Sequence, residues 1–396
     1  MTMSLSTTSH GTTATSAAQQ PDWQDGDLLD HVRRRLRDLP GLTTEDEVGE
    51  LERALAGAAR GEALVLQGGD CAERFHDAVP DRVRRKLDHL QGLASVLRAG
   101  TGLGVVPVGR MAGQYAKPRS DPYETLPDGR RVPSYRGDAV NDPAADPVLR
   151  AADPTRLVDA YDCSRAVLGA VRASWAGRQA GERVYTAHEL LLLPYEESLV
   201  RTGKRGDYAA STHFGWIGAR TSAPDGAHVG LAASVHNPVG VKIGPRTSPA
   251  HAVELVRRLN PDAVPGRLTF IVRMGAEQLD SALPPLVEAV AAGGIPVVWL
   301  SDPMHGNTYR APGGAKTRSL SAMRAETEAF VRVLREHRQW PAGLHLELTP
   351  DPVTECVDVP ETATGRLVFP HYRSVCDPRL NPAQAEQLVH AFLRLL

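Results

Sequence analysis

The chain has little cysteine, few aromatic residues and no excess of either charge sign. Its four cysteines, Cys71, Cys163, Cys356 and Cys376, are too few to staple 396 residues with disulfides. Lys plus Arg, 45, nearly balances Asp plus Glu, 47. A formal net charge of −2 argues against nucleic acid or an anionic membrane surface as the partner. No apolar run approaches the roughly 18 residues that a membrane span needs; the densest, Leu190–Leu193, is stopped by Pro194. The first twenty residues contain no Lys, Arg, Asp or Glu and no apolar stretch, so they resemble neither a secretory signal nor a transit peptide. Residues 1–23 read as a disordered tail on a cytoplasmic protein.

What is present is a repeated alternation. Residues 24–61 read as a helical extension: Thr44 and Glu47 make a capping box, Val48, Leu51, Leu55 and Ala58 follow at helical spacing, and Gly61 closes the helix. From residue 62 onward, eight short β-like runs are expected. They are Glu62–Gln67, Leu103–Gly109, Arg183–Ala187, Ser211–Ile217, Val239–Ile243, Leu268–Val272, Ile295–Leu300 and Gly343–Glu347. Helical stripes separate them: Val83, Leu87, Leu90, Ala94 and Leu97 form one. A second is capped by Asp153 and runs from Pro154 through Trp175, and a third contains Met323, Thr327, Phe330 and Leu334. Asn381, Pro382 and Gln384 open a C-terminal helix. Eight strand–helix alternations over residues 62–396 predict an α/β fold, a (β/α)8 TIM barrel with a short helical N-terminal extension. A doubly wound open sheet is the alternative, but no G-x-G-x-x-G follows the first strand.

Chemistry in such a barrel gathers where the strands end. The residues there form two groups. Arg110, Arg220, Lys242 and Arg273 would ring one mouth with cations, which suits a small, multiply charged anion carrying phosphate and carboxylate. Cys71, His305, Glu347 and Asp377 offer thiolate, imidazole and carboxylate, a mixed set fitting Mn²⁺, Fe²⁺, Co²⁺ or Zn²⁺ better than Mg²⁺. Taken singly, each of these residues is also explained as a surface ion pair, a turn residue or a packed side chain. About forty Pro-, Gly- and Asp-rich residues between Arg110 and Asp153 read as a lid or binding loop. Gly313–Gly314 with Lys316 lacks the Walker spacing and reads as a flexible loop.

Longer motifs then identify a resemblance. QGGDCAERF (67–75), GRMAGQYAKPRS (109–120), PSYRGD (133–138), AHELLLLPYE (187–196) and WIGART (216–221) closely resemble the class II 3-deoxy-D-arabino-heptulosonate 7-phosphate (DAHP) synthases. So do NPVGVKIGP (237–245), VRMG (272–275), DPMHGNT (302–308), HLELTPDPVTEC (345–356) and CDPRLN (376–381). The resemblance runs from about residue 24 to the end. It implies a cytoplasmic, metal-dependent transferase condensing phosphoenolpyruvate (PEP) with erythrose 4-phosphate to DAHP and phosphate, the entry to the shikimate pathway, possibly serving secondary metabolism. It implies Cys71, His305, Glu347 and Asp377 as ligands of Mn²⁺ or Co²⁺, with Zn²⁺ or Fe²⁺ as alternatives. Arg110, Ala219 (through its backbone), Arg220, Lys242 and Arg273 would hold PEP. Lys117, Arg119 and Ser120 would face erythrose 4-phosphate. Lys242, His305 and Glu189, in that order, are the candidates for moving the proton of the attacking water. A homo-oligomer, a dimer, is implied as well.

The chain departs from the family in places. Many class II members carry Glu where Ala219 stands, and often Cys where Ser301 stands. The span from Trp175 to Tyr185 lacks the helical-pair insertion that longer members associate with aromatic feedback, so weak or absent inhibition by Phe, Tyr or Trp is expected. Oxidation joining Cys71 to Cys376, with expulsion of the metal, is a further expectation. Three rival readings remain: an aminoDAHP synthase using an amino or imino analogue of erythrose 4-phosphate, a metal-dependent phosphosugar aldolase, and a non-catalytic metal-binding homologue.

Overall fold

The computed structural model describes residues 17–126, 128–358 and 369–396. Eight parallel strands close into a barrel: Ala63–Gly69, Gly104–Arg110, Tyr185–Glu189, Phe214–Ile217, Val239–Ile243, Leu268–Val272, Val298–Ser301 and Pro341–Glu347. Each pairs with the next in sequence, and the eighth closes onto the first, Gly343 opposite Val65 and Glu347 opposite Gly69. All eight expected runs are therefore strands of the barrel. The fifth and sixth have the expected bounds. The fourth starts later than expected, at Phe214: the Thr212 carbonyl is taken by Asn237 Nδ2 and Thr43 Oγ1, and the neighbouring strand's Thr186 N–H by the His213 side chain. The seventh starts at Val298, past Pro296, which has no N–H to give a ladder.

The helices follow their expected faces. Thr44 and Glu47 complete the capping box of helix Glu45–Ala59, and Asn381 with Gln384 completes another at Pro382–Leu393. The helix expected from Asp153 and Pro154 begins instead at Arg156. Asp153 caps the turn before it, its carboxylate accepting from the Thr155 backbone N–H and hydroxyl. The interior of the barrel is filled by side chains such as Val65, Val108, Phe214, Ile271 and Leu300. Leu51, Leu55 and Ala58 of helix Glu45–Ala59 join that same cluster. This helix thus plugs one end of the barrel. A Cβ on Gly266 would lie 2.5 Å from the Ala56 nitrogen, so the strand approach packs directly on the plug's backbone.

Three short hairpins decorate the barrel: Tyr123–Thr125 with Arg131–Pro133, Val200–Gly203 with Gly206–Ala209, and Thr308–Arg310 with Lys316–Arg318. The first lies inside the long 110–153 connection. The third contains Gly313, Gly314 and Lys316, read from sequence as a flexible loop; its two arms pair in regular antiparallel register. Of the tail expected over residues 1–23, residues 1–16 lie outside the described residues. No described helix is long and apolar enough to cross a membrane.

Candidate active site

Strand register brings the first pieces together. Gly69 sits opposite Arg110 on one side and Glu347 on the other, so both side chains leave the barrel at the same level. Gly69 has φ +151°, and a Cβ there would stand 2.7 Å from the Arg110 carbonyl oxygen, so the close approach requires glycine. Arg110 donates from Nη2 to Glu347 Oε1 at 3.0 Å and from Nε to the Asp70 carbonyl at 3.1 Å. Its Nη1 pairs with His345, and its guanidinium lies 5.0 Å over the Trp216 ring. His305 Nε2 stands 3.0 Å from Glu347 Oε1, while its Nδ1 stands 2.8 Å from Asp302 Oδ2. Burial alone would lift the Glu347 carboxyl, but the charges of His305 and Arg318 outweigh it and hold it well below the usual carboxylate range.

The donor set fits a divalent transition metal. Ligand atoms of Cys71, Glu347 and Asp377 lie within 4.8 Å of one another, all three residues buried. His305 joins the group through Glu347. Such a knot of anions needs a cation, and an ammonium already partly answers it: Lys117 Nζ lies 2.7 Å from Cys71 Sγ and pairs with Asp377. Lys316 Nζ reaches the other Asp377 oxygen at 2.8 Å. Thiolate, imidazole and carboxylates together match Mn²⁺, Fe²⁺, Co²⁺ or Zn²⁺ chemistry.

A cavity of ≈ 90 Å³ opens onto these groups, and its wall includes Arg110, Lys242, Arg273, Arg220, Ala219 and Glu189. All four cations expected at the mouth therefore line one space. Lys242 is buried, 3.2 Å from Asp302 Oδ2 and 3.4 Å from His305 Nδ1. Burial depresses its pKa, Asp302 resisting the shift. Burial likewise raises the Glu189 carboxyl, whose Oε1 finds no hydrogen-bond partner among the described residues. Arg273 donates from Nη2 to the His305 carbonyl at 2.9 Å. A second cavity of ≈ 470 Å³ shares Lys117, Arg220 and Asp377 with the first and adds Arg119 and Ser120. Arg220 Nη2 lies 2.7 Å from Ser120 Oγ at their junction.

Several site residues were not found from sequence. Arg318 is fully buried and donates to Glu347 Oε2 at 2.6 Å and to the Pro378 carbonyl at 2.5 Å. It comes from a hairpin rather than a barrel strand end, so the strand-end rule passes over it. Lys316 follows Gly313–Gly314 without phosphate-loop spacing, and the sequence gives no sign of its contact with Asp377. Asp302 was read as part of a motif with no role of its own. Glu326, on helix Leu320–Glu336, accepts from Met274 N at 2.8 Å, Gly275 N at 2.9 Å and Asn307 Nδ2 at 2.7 Å. It thereby ties the loop after Arg273 to the loop carrying His305, and burial raises its pKa to about 7. Cys71 and Cys376 are both free and pack in one small cluster with Tyr135.

Comparisons with known proteins bear on the family and the fold. A model of the class-II DAHP synthetase family matches residues 7–183 and 176–393. The chain is 40% identical over 426 residues to a phospho-2-dehydro-3-deoxyheptonate aldolase of Streptomyces coelicolor, covering 95% of this chain and 94% of that protein. It is 44% identical over 382 residues to a probable phospho-2-dehydro-3-deoxyheptonate aldolase of Pseudomonas fluorescens, covering 95% and 94%. A solved phospho-2-dehydro-3-deoxyheptonate aldolase from Francisella tularensis SCHU S4 superposes with a TM-score of 0.55 at 14% identity, covering 92% of this chain and 95% of that one. At that identity the likeness concerns the fold alone.

Proposed function

Because the chain belongs to the class-II DAHP synthetase family, we propose that it condenses PEP with erythrose 4-phosphate, giving DAHP and inorganic phosphate. The observation that carries this reading is one mouth holding both a buried metal-donor knot and a ring of four cations. The relatives' names are those of the DAHP reaction, and nothing in the site favours the amino-sugar alternative.

In this reading Cys71, His305, Glu347 and Asp377 hold a divalent ion, Mn²⁺ or Co²⁺ in preference to Zn²⁺ or Fe²⁺. When bound, the ion supplies Lewis acidity toward the aldehyde oxygen. Arg110, Lys242, Arg273 and Arg220, with the backbone of Ala219, bind the carboxylate and phosphate of PEP and fix its C3 toward the aldehyde carbon. Lys117, Arg119 and Ser120 hold erythrose 4-phosphate from the second cavity. The Arg220–Ser120 contact links the two substrates' seats. After carbon–carbon bond formation the former aldehyde oxygen gains a proton. Water adds at C2 of the former PEP and gives up a proton. The C2–O bond to the phosphate then breaks, releasing inorganic phosphate and leaving the C2 ketone. Lys242 is suited to taking the water's proton because burial weakens its hold on a proton while Asp302 and His305 stand within reach. Glu189, a buried carboxyl with an open oxygen, is a second proton holder. The cytoplasm is the proposed location, and a homodimer, read by light scattering, the proposed assembly.

The deciding experiment measures phosphate release from PEP with Mn²⁺ or Co²⁺, with and without erythrose 4-phosphate, and weighs the product by mass spectrometry. Aldehyde-dependent release with the DAHP mass is expected. Release without the aldehyde, or no turnover in metal-loaded protein, counts against the reading.

A further inference from the structure

Asp377 is carried by a short loop, residues 373–379, and one buried carboxylate fastens that loop at both ends. Glu355 Oε1 accepts from Arg373 N at 3.1 Å and from Ser374 N at 2.8 Å, and Oε2 accepts from Arg379 N at 2.8 Å. Glu355 is fully buried, and its own carbonyl accepts from Thr317 Oγ1 at 2.9 Å. It is therefore moored to the strand Lys316–Arg318 as well as to the loop it holds. Within the loop, Ser374 Oγ donates to the Asp377 carbonyl at 2.6 Å and accepts from Cys376 N at 3.2 Å.

The same carboxylate is linked to a second proposed ligand. Arg379 pairs with both Glu355 oxygens, Nε with Oε2 at 3.1 Å and Nη2 with Oε1 at 2.9 Å. Its remaining arm, Nη1, donates to Asp70 Oδ1 at 2.7 Å. Asp70 immediately precedes Cys71. Its Oδ2 lies 2.6 Å from Lys86 Nζ, and its carbonyl accepts from Arg110 Nε at 3.1 Å. Glu355, Arg379 and Asp70 thus form a continuous charged bar between the loop bearing Asp377 and the strand end bearing Cys71. The two meet where Asp377 N stands 3.4 Å from Cys71 Sγ. None of the three residues of the bar lines the ≈ 90 Å³ cavity.

A cation site built from anions works against itself before the ion arrives, because thiolate and carboxylates repel. A loop free to recoil would then have to be ordered by the ion, at a cost in affinity. Partners behind the ligands remove that cost by holding them in place during folding. We infer that Glu355 and Arg379 are positioning residues for the metal site, fixing Asp377 relative to Cys71 and so setting the affinity for the ion. The inference rests on the proposed assignment of Cys71 and Asp377 as ligands, and adds residues that touch neither ion nor substrate.

The test is Cd²⁺ titration of the full chain, followed at the thiolate-to-metal charge-transfer band, with E355Q, R379M, R379K, D70N and the E355Q/D70N double variant. Whichever way the Gln amide turns, its nitrogen faces N–H donors, so E355Q should weaken binding by roughly 10- to 100-fold. R379M and D70N should lose a similar factor, and R379K should recover part of it. Because E355Q and D70N cut one bar, the double variant should bind within about threefold of the weaker single variant. Independent loosening at two places would instead make the losses multiply. At saturating metal the KM for PEP should stay within about twofold of the parent's in every variant.

Unchanged Cd²⁺ affinity in E355Q and R379M, multiplying losses, or a rise in the KM for PEP matching the loss of affinity would each overturn the inference. If E355Q does not fold, R379K and D70N decide by the same criteria, since both keep the loop's backbone bonds to Glu355. If the parent chain shows no charge-transfer band, or C71S keeps it, the ligand assignment fails and takes this inference with it. A band in the parent with unaltered affinity in the variants refutes the bar alone.

Discussion

Lys117 Nζ stands 2.7 Å from the Cys71 sulfur and pairs with Asp377, so an ammonium lies between two of the proposed metal ligands. Burial works against its charge, but Asp377 and Cys71 more than restore it. A metal taking Cys71 and Asp377 must turn Lys117 outward, toward the cavity holding Arg119 and Ser120. K117M should therefore bind Cd²⁺ at least as tightly as the parent chain, read from thiolate-to-metal charge-transfer absorbance. Its KM for erythrose 4-phosphate should rise about tenfold. Loss of Cd²⁺ binding in K117M would show that the lysine builds the metal site instead of competing for it.

Arg318 is the fully buried partner of Glu347 Oε2 and also holds the Pro378 carbonyl, next to Asp377. Replacing it with Met leaves a buried carboxylate short of a partner, which costs on the order of 3 kcal/mol. Urea unfolding of R318M should show that loss, with R318K falling between. A change below about 0.5 kcal/mol would mean Arg110 and His305 suffice to balance Glu347.

Glu326 gives a pH dependence with a definite sign. Its carboxyl titrates at 4.5 when unperturbed and at about 7 in the folded chain, because burial disfavours the charged form. The folded chain thus binds this proton more tightly, so the group favours folding at low pH. That advantage disappears as pH rises from about 4.5 through about 7. E326Q should flatten the fall in unfolding free energy between those limits. It should also raise the KM for PEP, since Met274 and Gly275 follow Arg273 directly. An unchanged slope would place the titration elsewhere.

Between the helix ending at Ala173 and the strand beginning at Tyr185 there is one turn of 3₁₀ helix, Ala180–Glu182, and no helical pair. Phe, Tyr and Trp should each inhibit the steady-state rate weakly or not at all. Strong inhibition by any one of them would reveal an effector seat elsewhere on the chain.

Cys71 and Cys376 pack in one cluster, and burial pushes the Cys71 thiol up. Mild oxidation of metal-free protein should join them, as seen by non-reducing mass mapping, and bound metal should protect both. Two free thiols after oxidation would remove the idea.

Much of this was legible in sequence because barrels repeat. Runs such as Leu268–Val272, and Val239–Ile243 but for Lys242, are largely apolar and buried along their whole length, which makes them stand out in the sequence. The strand-end rule then found Cys71, Arg110, Lys242, His305 and Glu347. It missed Arg318 and Lys316, which reach the same mouth from a hairpin between the seventh strand and its helix. It also missed Glu326, whose helical position looks like any surface glutamate until the backbone N–H groups it accepts are seen. The contacts of Gln19 with the Arg119 backbone N–H and the Arg136 side chain needed the fold, because about a hundred residues of chain separate them.

The plug helix has a consequence for how the chain is made. Glu45–Ala59 leaves the ribosome before any barrel strand, but its seat includes Val65, Ile271, Val298 and Ala342. Ala342 belongs to the last strand, so the seat is finished only when nearly the whole chain has been synthesised. Until then Leu51 and Leu55 have no complete partner surface, and the apolar face of this amphipathic segment waits uncovered through most of the chain's synthesis. A segment that leaves the ribosome ahead of every barrel strand is among the last to find its place.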